Sequence, residues 1–296
     1  APFPRPASSM SFPAPAVGPA APADPNPNPD ADGRPHAPHV IVGAAVEDDW
    51  VMMDAAGDLS YLKGWQAMGG RVQHPVRVLV LHGTLREKGF SKLLAYECAR
   101  LLDVMGAEVR VFDPRGLPVR DPELSEDAKV VELRGLVEWS EGQVWCGSEL
   151  HGNLCSVLKN QIDWIPLNTG SVRPTQGKSV AVLQVNGGSQ SFNVVNQLRL
   201  LARWMRMQCV VNQSSVPKAW TEFGDDGRMK ESSLRDRVVD VMEEFMKLTV
   251  VNREYADFFV DRFSERKEKK EKGRLLTQAE KEAEKVAAEK KAKANE

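Results

Sequence analysis

Between Val76 and about Asn252 a short apolar run gives way to a helix-period pattern, and the alternation occurs five times. The apolar runs are Val76–Leu81, Glu108–Phe112, Gln143–Cys146, Ser179–Val185 and Cys209–Val211. The helical patterns are Ser91–Met105, Ala128–Trp139, Leu154–Trp164, Ser191–Met207 and Ser232–Asn252. In the last of these, Leu234, Val238, Val241, Phe245 and Leu248 share one face. Strands that alternate with helices of this length pair in parallel, with helices covering both faces of the sheet. The pattern therefore predicts an α/β fold with a doubly wound five-stranded parallel sheet. In such sheets the ligand lies at the carboxyl ends of the strands, so the loops after the strands carry the function.

Three of those loops are rich in groups that bind ligands. The first reads His82-Gly-Thr-Leu-Arg-Glu-Lys-Gly-Phe-Ser91. It joins a buried strand to a helix start, where free N–H groups and the positive end of the dipole favour an anion. Thr84 and Ser91 add hydroxyls, and Arg86 adds a fork that matches phosphate oxygens. The bland alternative is a plain βα loop with a surface arginine and Ser91 as helix cap. The loop is neither a P-loop nor the G-x-G-x-x-G dinucleotide turn. The second loop, Cys146-Gly-Ser-Glu-Leu-His-Gly152, has two glycines that let backbone approach a planar ring. His151 there either touches a ring or substrate, or bonds backbone. The third, Val185-Asn-Gly-Gly-Ser-Gln-Ser-Phe-Asn193, repeats the theme of glycines and short polar donors before a helix, and a plain turn capped by Ser189 or Ser191 is its alternative.

The rest of the chain narrows the class. Residues 1–38 hold 12 of the 19 prolines, and such a segment buries too little apolar surface to order itself. We expect a disordered Pro/Ala-rich tail there. No acid precedes Asp24, which leaves organelle import open beside a cytoplasmic location. Residues 39–75, with Trp50 and Trp65, read as an arm packed on the domain or on a partner subunit. The domain itself spans 76–263, and 264–296 form a charged Lys/Glu-rich tail, either a solvated helix or disordered. The net charge of −2 gives no case for nucleic acid or an anionic membrane. No apolar run reaches the roughly 20 residues of a membrane helix. Cys98, Cys146, Cys155 and Cys209 form no C-x-x-C pair, so reduced buried thiols are expected and no metal site.

Longer segments then make a resemblance specific. Gly83–Ser91 has the pattern G-[ST]-L-R-x-x-x-x-S, which resembles the FMN-phosphate loop of flavodoxin-like NADPH-dependent FMN reductases. Trp139–Cys146, Lys159–Leu167, Val172–Lys178, Gly187–Arg199, Arg203–Met207, Asn212–Ala219, Asp236–Glu244 and Val260–Arg266 resemble the ArsH arsenical-resistance flavoproteins. The match covers roughly residues 74–268. It implies a flavodoxin-like sheet of order 2-1-3-4-5, an enzyme that uses FMN and NADPH, and a homotetramer. Its implied cofactor-binding residues are Gly83, Thr84, Leu85, Arg86, Phe90 and Ser91 in the first loop. Ser148, Glu149, Leu150, His151 and Gly152 follow in the second, and Gly187, Gly188, Ser189, Gln190 and Ser191 in the third.

The implied chemistry is transfer of hydride from NADPH to the flavin. Electrons then pass to quinones, azo dyes, metal ions or oxygen in ping-pong turnover, with no side-chain catalyst, and some family members oxidise trivalent organoarsenicals to the pentavalent form. Partners would be small molecules. The alternatives are a general NADPH:FMN/quinone reductase without an arsenical role and a flavodoxin-type electron carrier. Two departures from the family pattern stand out. Thr84 and Gly89 replace serines in the first loop, and the second loop lacks a proline and an arginine, at Ser148 and Leu150. The lost hydroxyl at Gly89 suggests a weaker hold on phosphate, by about 1 kcal/mol. Arg199, Arg203 and Arg206 lie at helical spacings, as a 2′-phosphate site or as a subunit-interface cluster. Cys146 and Cys155 flank the second loop, either as buried apolar residues or as a soft pair for trivalent arsenic.

Overall fold

The computed structural model describes residues 49–68, 72, 74–166, 173–260 and 262–294. The expected tail 1–38 lies outside them. The arm opens with a π-helical turn (Val51–Ala55), α1 (Ala56–Leu59) and α2 (Tyr61–Met68). The body begins with β1 (Arg77–His82), α3 (Phe90–Val104), β2 (Glu108–Val111), α4 (Ala128–Trp139) and β3 (Gly142–Leu150). It continues with β4 (Asn153–Leu154), α5 (Ser156–Trp164), β5 (Ser179–Val185), α6 (Asn193–Trp204), β6 (Gln208–Cys209) and β7 (Ser214–Val216). A short α7 (Ala219–Glu222) precedes the long α8 (Ser233–Glu254). Beyond it lie α9 (Ala256–Val260), α10 (Phe263–Lys272) and α11 (Gln278–Ala294).

The sheet runs β2-β1-β3-β5-β6, all parallel. The fifth position is shared: β6 pairs the start of β5 (Ser179↔Gln208), and β7 pairs its end (Val185↔Val216). This is the doubly wound order 2-1-3-4-5. The expected fifth strand, Cys209–Val211, is thus corrected to two short strands with a break between them. The break has a cause. The Arg199 guanidinium donates to the carbonyls of Val210 at 2.8 Å and Asn212 at 3.2 Å, and to Val211 and the Gln213 side chain. Carbonyls held by a side chain are lost to the ladder.

Two layers cover the sheet. Val78 and Val80 of β1 face α3 and α8, with Leu94, Leu102, Val238, Val241 and Phe245 buried there. Leu79 and Leu81 face the other way, onto Leu133, Leu158, Trp164 and Leu198 of α4, α5 and α6. Both faces of β1 are therefore dry, as expected for a central parallel strand.

The arm packs onto the α3 and α8 face, with Val51 and Leu62 fully buried. Gln66 ties it down twice, donating to Met105 O (2.8 Å) and accepting from Val76 N (2.9 Å). Its start is held by a buried ionic cluster. Glu97 on α3 accepts from Trp50 Nε1 (3.1 Å), Arg100 Nη2 (2.7 Å) and Met229 N (3.0 Å), with Arg228 Nε at 3.1 Å. Asp49 accepts from Val51 N (3.0 Å) and pairs with Arg228. Two carboxylates and two guanidiniums balance, which is what lets them stay buried. The charged C-terminal segment folds as α10 and α11, joined by Lys281–Glu268 (2.8 Å) and Lys272–Glu284 (2.9 Å) ion pairs. No helix among the described residues is long and apolar enough to cross a membrane.

Candidate functional site: the carboxyl ends of the strands

The sheet register brings the three loops side by side. His82 at the end of β1 pairs with Cys146, Ser148 pairs with Val185, and Val185 pairs with Val216.

The first loop is closed by short bonds. Gly83 N donates to Cys146 O (3.0 Å), Arg86 N to Thr84 Oγ1 (3.1 Å) and Gly89 N to Arg86 O (3.2 Å). Only glycine fits at 83, because a Cβ there would lie 2.6 Å from Cys155 Sγ and 3.1 Å from Ser148 N. The helix begins at Phe90, one residue before the predicted Ser91, and its N-cap Gly89 offers no side chain. The first N–H groups of α3 thus lack a side-chain acceptor from the cap. Ser91 is not the cap. Its Oγ is fully buried within the first turn and bonds to nothing among the described residues. Leu85 and Arg86 are exposed, and the Arg86 guanidinium has no ion pair among the described residues. A buried orphan hydroxyl, an uncapped helix start and a free guanidinium together fit a phosphate group.

His82 is a residue that sequence reasoning missed. It is 3% exposed beneath this loop, and its Nδ1 has no hydrogen-bond partner among the described residues. Burial, reinforced by the nearby Lys92 ammonium, lowers its pKa to about 4. It is therefore neutral at neutral pH. The only sequence signal was a polar residue closing an apolar strand. Within the loop, exposed Glu87 pairs with Lys92 (2.8 Å) and Arg115 (3.5 Å), linking it to the segment after β2.

The second segment is not the open loop expected. β3 continues through Ser148, Glu149 and Leu150 and turns back into β4, pairing Glu149↔Leu154 and Leu150↔Asn153. His151 and Gly152 form the turn, both left-handed at φ 53° and 72°. Two positive φ values in succession suit the right-handed twist of a hairpin. The usual Asn-Gly signal is absent, so the sequence read as a loop. His151 is exposed, Ser148 and Glu149 half-buried.

The third loop is held from behind. Asn186 Nδ2 donates to Ser189 O (2.6 Å), and Ser215 Oγ to Ser191 O. Helix α6 starts at Asn193, two residues after the predicted Ser191, whose Oγ accepts from Asn193 N (3.3 Å). Buried Gln184 joins the first turn of α6 to the end of β3: Nε2 donates to Glu149 (2.9 Å), and Oε1 accepts from Val195 N (2.9 Å). Gln184 was also missed, because a polar residue inside an apolar strand gives no hint of its partners. Ser189 and Gln190 are exposed, and a Cβ added at Gly187 or Gly188 would meet nothing within 4 Å. Space of this kind beside a backbone ridge fits a planar ring. Gly188→Val should leave folding intact, since its side chain enters open space, yet remove flavin uptake. Equal unfolding midpoints with lost flavin absorbance check this. Retained flavin would place the ring elsewhere.

The structure bears on two further alternatives. Arg199 directs its donors at the carbonyls of the strand break and at the Gln213 side chain, a structural use that the sequence did not suggest. Cys146 belongs to the core on the α3 side and Cys155 to the opposite layer, so they form no arsenic-binding pair. Cys155 Sγ instead donates to Gly83 O (3.2 Å), while burial beside the Cys146 thiol pushes the Cys98 pKa well up. All four cysteines are free, and no metal-holding group occurs among the described residues.

Comparison with known proteins agrees with this arrangement. The family of NADPH-dependent FMN reductases matches residues 76–221. The NADPH-dependent FMN reductase ArsH of Acidithiobacillus ferrooxidans is 60% identical over 198 residues, covering 67% of this chain and 84% of that protein. The protein of the same name from Shigella flexneri is 56% identical, covering 65% of this chain and 76% of its own length. A solved oxidoreductase structure from Corynebacterium diphtheriae, 16% identical, superposes with a TM-score of 0.50 over 60% of this chain and 99% of that one, which shows a shared fold. With the sheet order, the glycine-lined strand ends and this degree of identity in hand, the chain belongs to the ArsH family of NADPH-dependent FMN reductases.

Proposed function

We propose that the protein is an NADPH-dependent FMN oxidoreductase that passes electrons to quinones, azo compounds, metal ions or oxygen and oxidises trivalent organoarsenicals. The buried, unpartnered Ser91 hydroxyl at an uncapped helix start carries the cofactor part of this reading. FMN, when bound, supplies the two-electron chemistry between NADPH and the acceptor. The protein's own residues do the binding and orienting. Thr84, Arg86 and Ser91 hold the phosphate through hydroxyl and charged donors. Ser148, Glu149, Leu150, His151 and Gly152 form one wall, and Gly187, Gly188, Ser189, Gln190 and Ser191 the other. Gln184 fixes the two walls relative to each other through its bonds to Glu149 and Val195. Leu150 stands where the family pattern has an arginine, so this rim carries one cation fewer and favours neutral acceptors such as quinones.

Arg86→Ala should weaken FMN binding by about 1.5–3 kcal/mol, the range for a charge-assisted hydrogen bond. Fluorescence titration of the apoprotein measures this, and wild-type affinity in that variant contradicts the phosphate assignment. The arsenical role is tested by supplying enzyme, NADPH and oxygen with a trivalent methylarsenical and assaying the pentavalent product. Quinone reduction without that product leaves a general reductase. A homotetramer fits the exposed Leu200 and Trp204 on α6, and light scattering reads the mass directly. Four free thiols and small-molecule acceptors fit a cytoplasmic location.

A further inference from the structure

Gly89 closes the first loop with an ordinary extended backbone, φ −76° and ψ 131°. Its conformation does not require glycine. Its surroundings do. A Cβ built at 89 would lie 2.5 Å from both Thr84 Cγ2 and Thr84 Oγ1, and 2.9 Å from Thr84 Cβ. The third contact decides the matter. Rotation about χ1 moves Oγ1 and Cγ2 but leaves Cβ where it is. A side chain at 89 therefore displaces backbone, not only a rotamer. The backbone there is already committed. Thr84 Oγ1 accepts from Arg86 N (3.1 Å), and Arg86 O accepts from Gly89 N (3.2 Å). Gly89 O in turn accepts from Lys92 N (2.9 Å) and Leu93 N (3.0 Å), so moving Gly89 moves the first turn of α3 and Ser91 with it.

We propose that Gly89 is a positioning residue, whose missing side chain seats the Thr84 hydroxyl and the Ser91 turn around the phosphate of FMN. The proposal rests on the FMN reading above and reverses a count of donors. Gly89→Ser adds a hydroxyl to the loop, yet binding weakens. Residues 84 and 89 are one steric unit: the Cβ at 84 takes the space a Cβ at 89 would need, so the family's serine pair must set these two backbones farther apart.

A double-mutant cycle tests this with four proteins: wild type, Gly89→Ser, Thr84→Gly and the double variant. FMN affinity is read by fluorescence titration of each apoprotein, and stability by urea unfolding without FMN. Gly89→Ser should weaken FMN binding about tenfold beside Thr84 and hardly at all in the Thr84→Gly background, a coupling of the size found for residues in contact. The unfolding midpoints should follow the same pattern, with the serine destabilising only where Thr84 is present. Equal costs in both backgrounds, or tighter FMN binding by Gly89→Ser, overturn the proposal. A wild-type chain that takes up no FMN overturns the functional reading, and the unfolding cycle then decides the steric unit by itself.

Discussion

Glu97→Ala should lower the unfolding free energy by about 3–5 kcal/mol, the cost of removing one partner from a buried ion pair. Glu97 is fully buried and accepts from the indole of Trp50, the guanidinium of Arg100 and the backbone of Met229. Without it, Arg100 and Arg228 share the single carboxylate of Asp49. Two buried cations then face one anion. The arm loses its anchor at the same time, because Trp50 and Asp49 join it to α3 and to the segment around Met229. Urea unfolding of Glu97→Ala against wild type measures the effect. Glu271→Gln, at an exposed pair on α10, serves as a control within about 0.5 kcal/mol. A loss under about 1 kcal/mol for Glu97→Ala contradicts the burial argument.

The second large effect is a pH dependence. His82 titrates near 6.5 in an unfolded chain and near 4 when folded. Between those values the unfolded state binds a proton that the folded state refuses. Stability is therefore full above about pH 6.5 and falls as the pH drops toward 4, at up to about 1.4 kcal/mol per pH unit. Burial sets the direction; among the groups facing the imidazole, Lys92 and Arg115 add to it by opposing protonation, while Asp113 and the Thr84 backbone favour protonation. Carboxylates of the unfolded chain begin to titrate at the acid end of the same window, so the measured quantity is a difference between proteins. Urea unfolding at several pH values should show a shallower slope in His82→Gln than in wild type. Identical slopes contradict a buried neutral His82.

Much of this was legible from period and punctuation. The alternation of strand and helix patterns announced the doubly wound sheet, and the rule for such sheets made the glycine-rich loops after its strands the candidate site. What escaped was pairwise. The Gln184 amide lies in an apolar strand, and its partners Glu149 and Val195 come from β3 and α6. Glu97 sits mid-helix among apolar residues and finds its cations at positions 100 and 228, one of them far along the chain. The His151-Gly152 turn carries no residue whose presence demands a positive φ, so the second loop hid a hairpin. At Gly89 the sequence shows a missing hydroxyl and not the space around it. Composition counts donors, and only geometry shows that Thr84 already fills the space.

The most direct test of the central claim uses the wild-type protein loaded with FMN. After removal of unbound flavin and of oxygen, stoichiometric NADPH should bleach the visible flavin band, and a quinone or readmitted oxygen should restore it. A chain that retains no FMN, or whose flavin band is unmoved by NADPH, contradicts the assignment of these three loops to an NADPH-dependent flavin site.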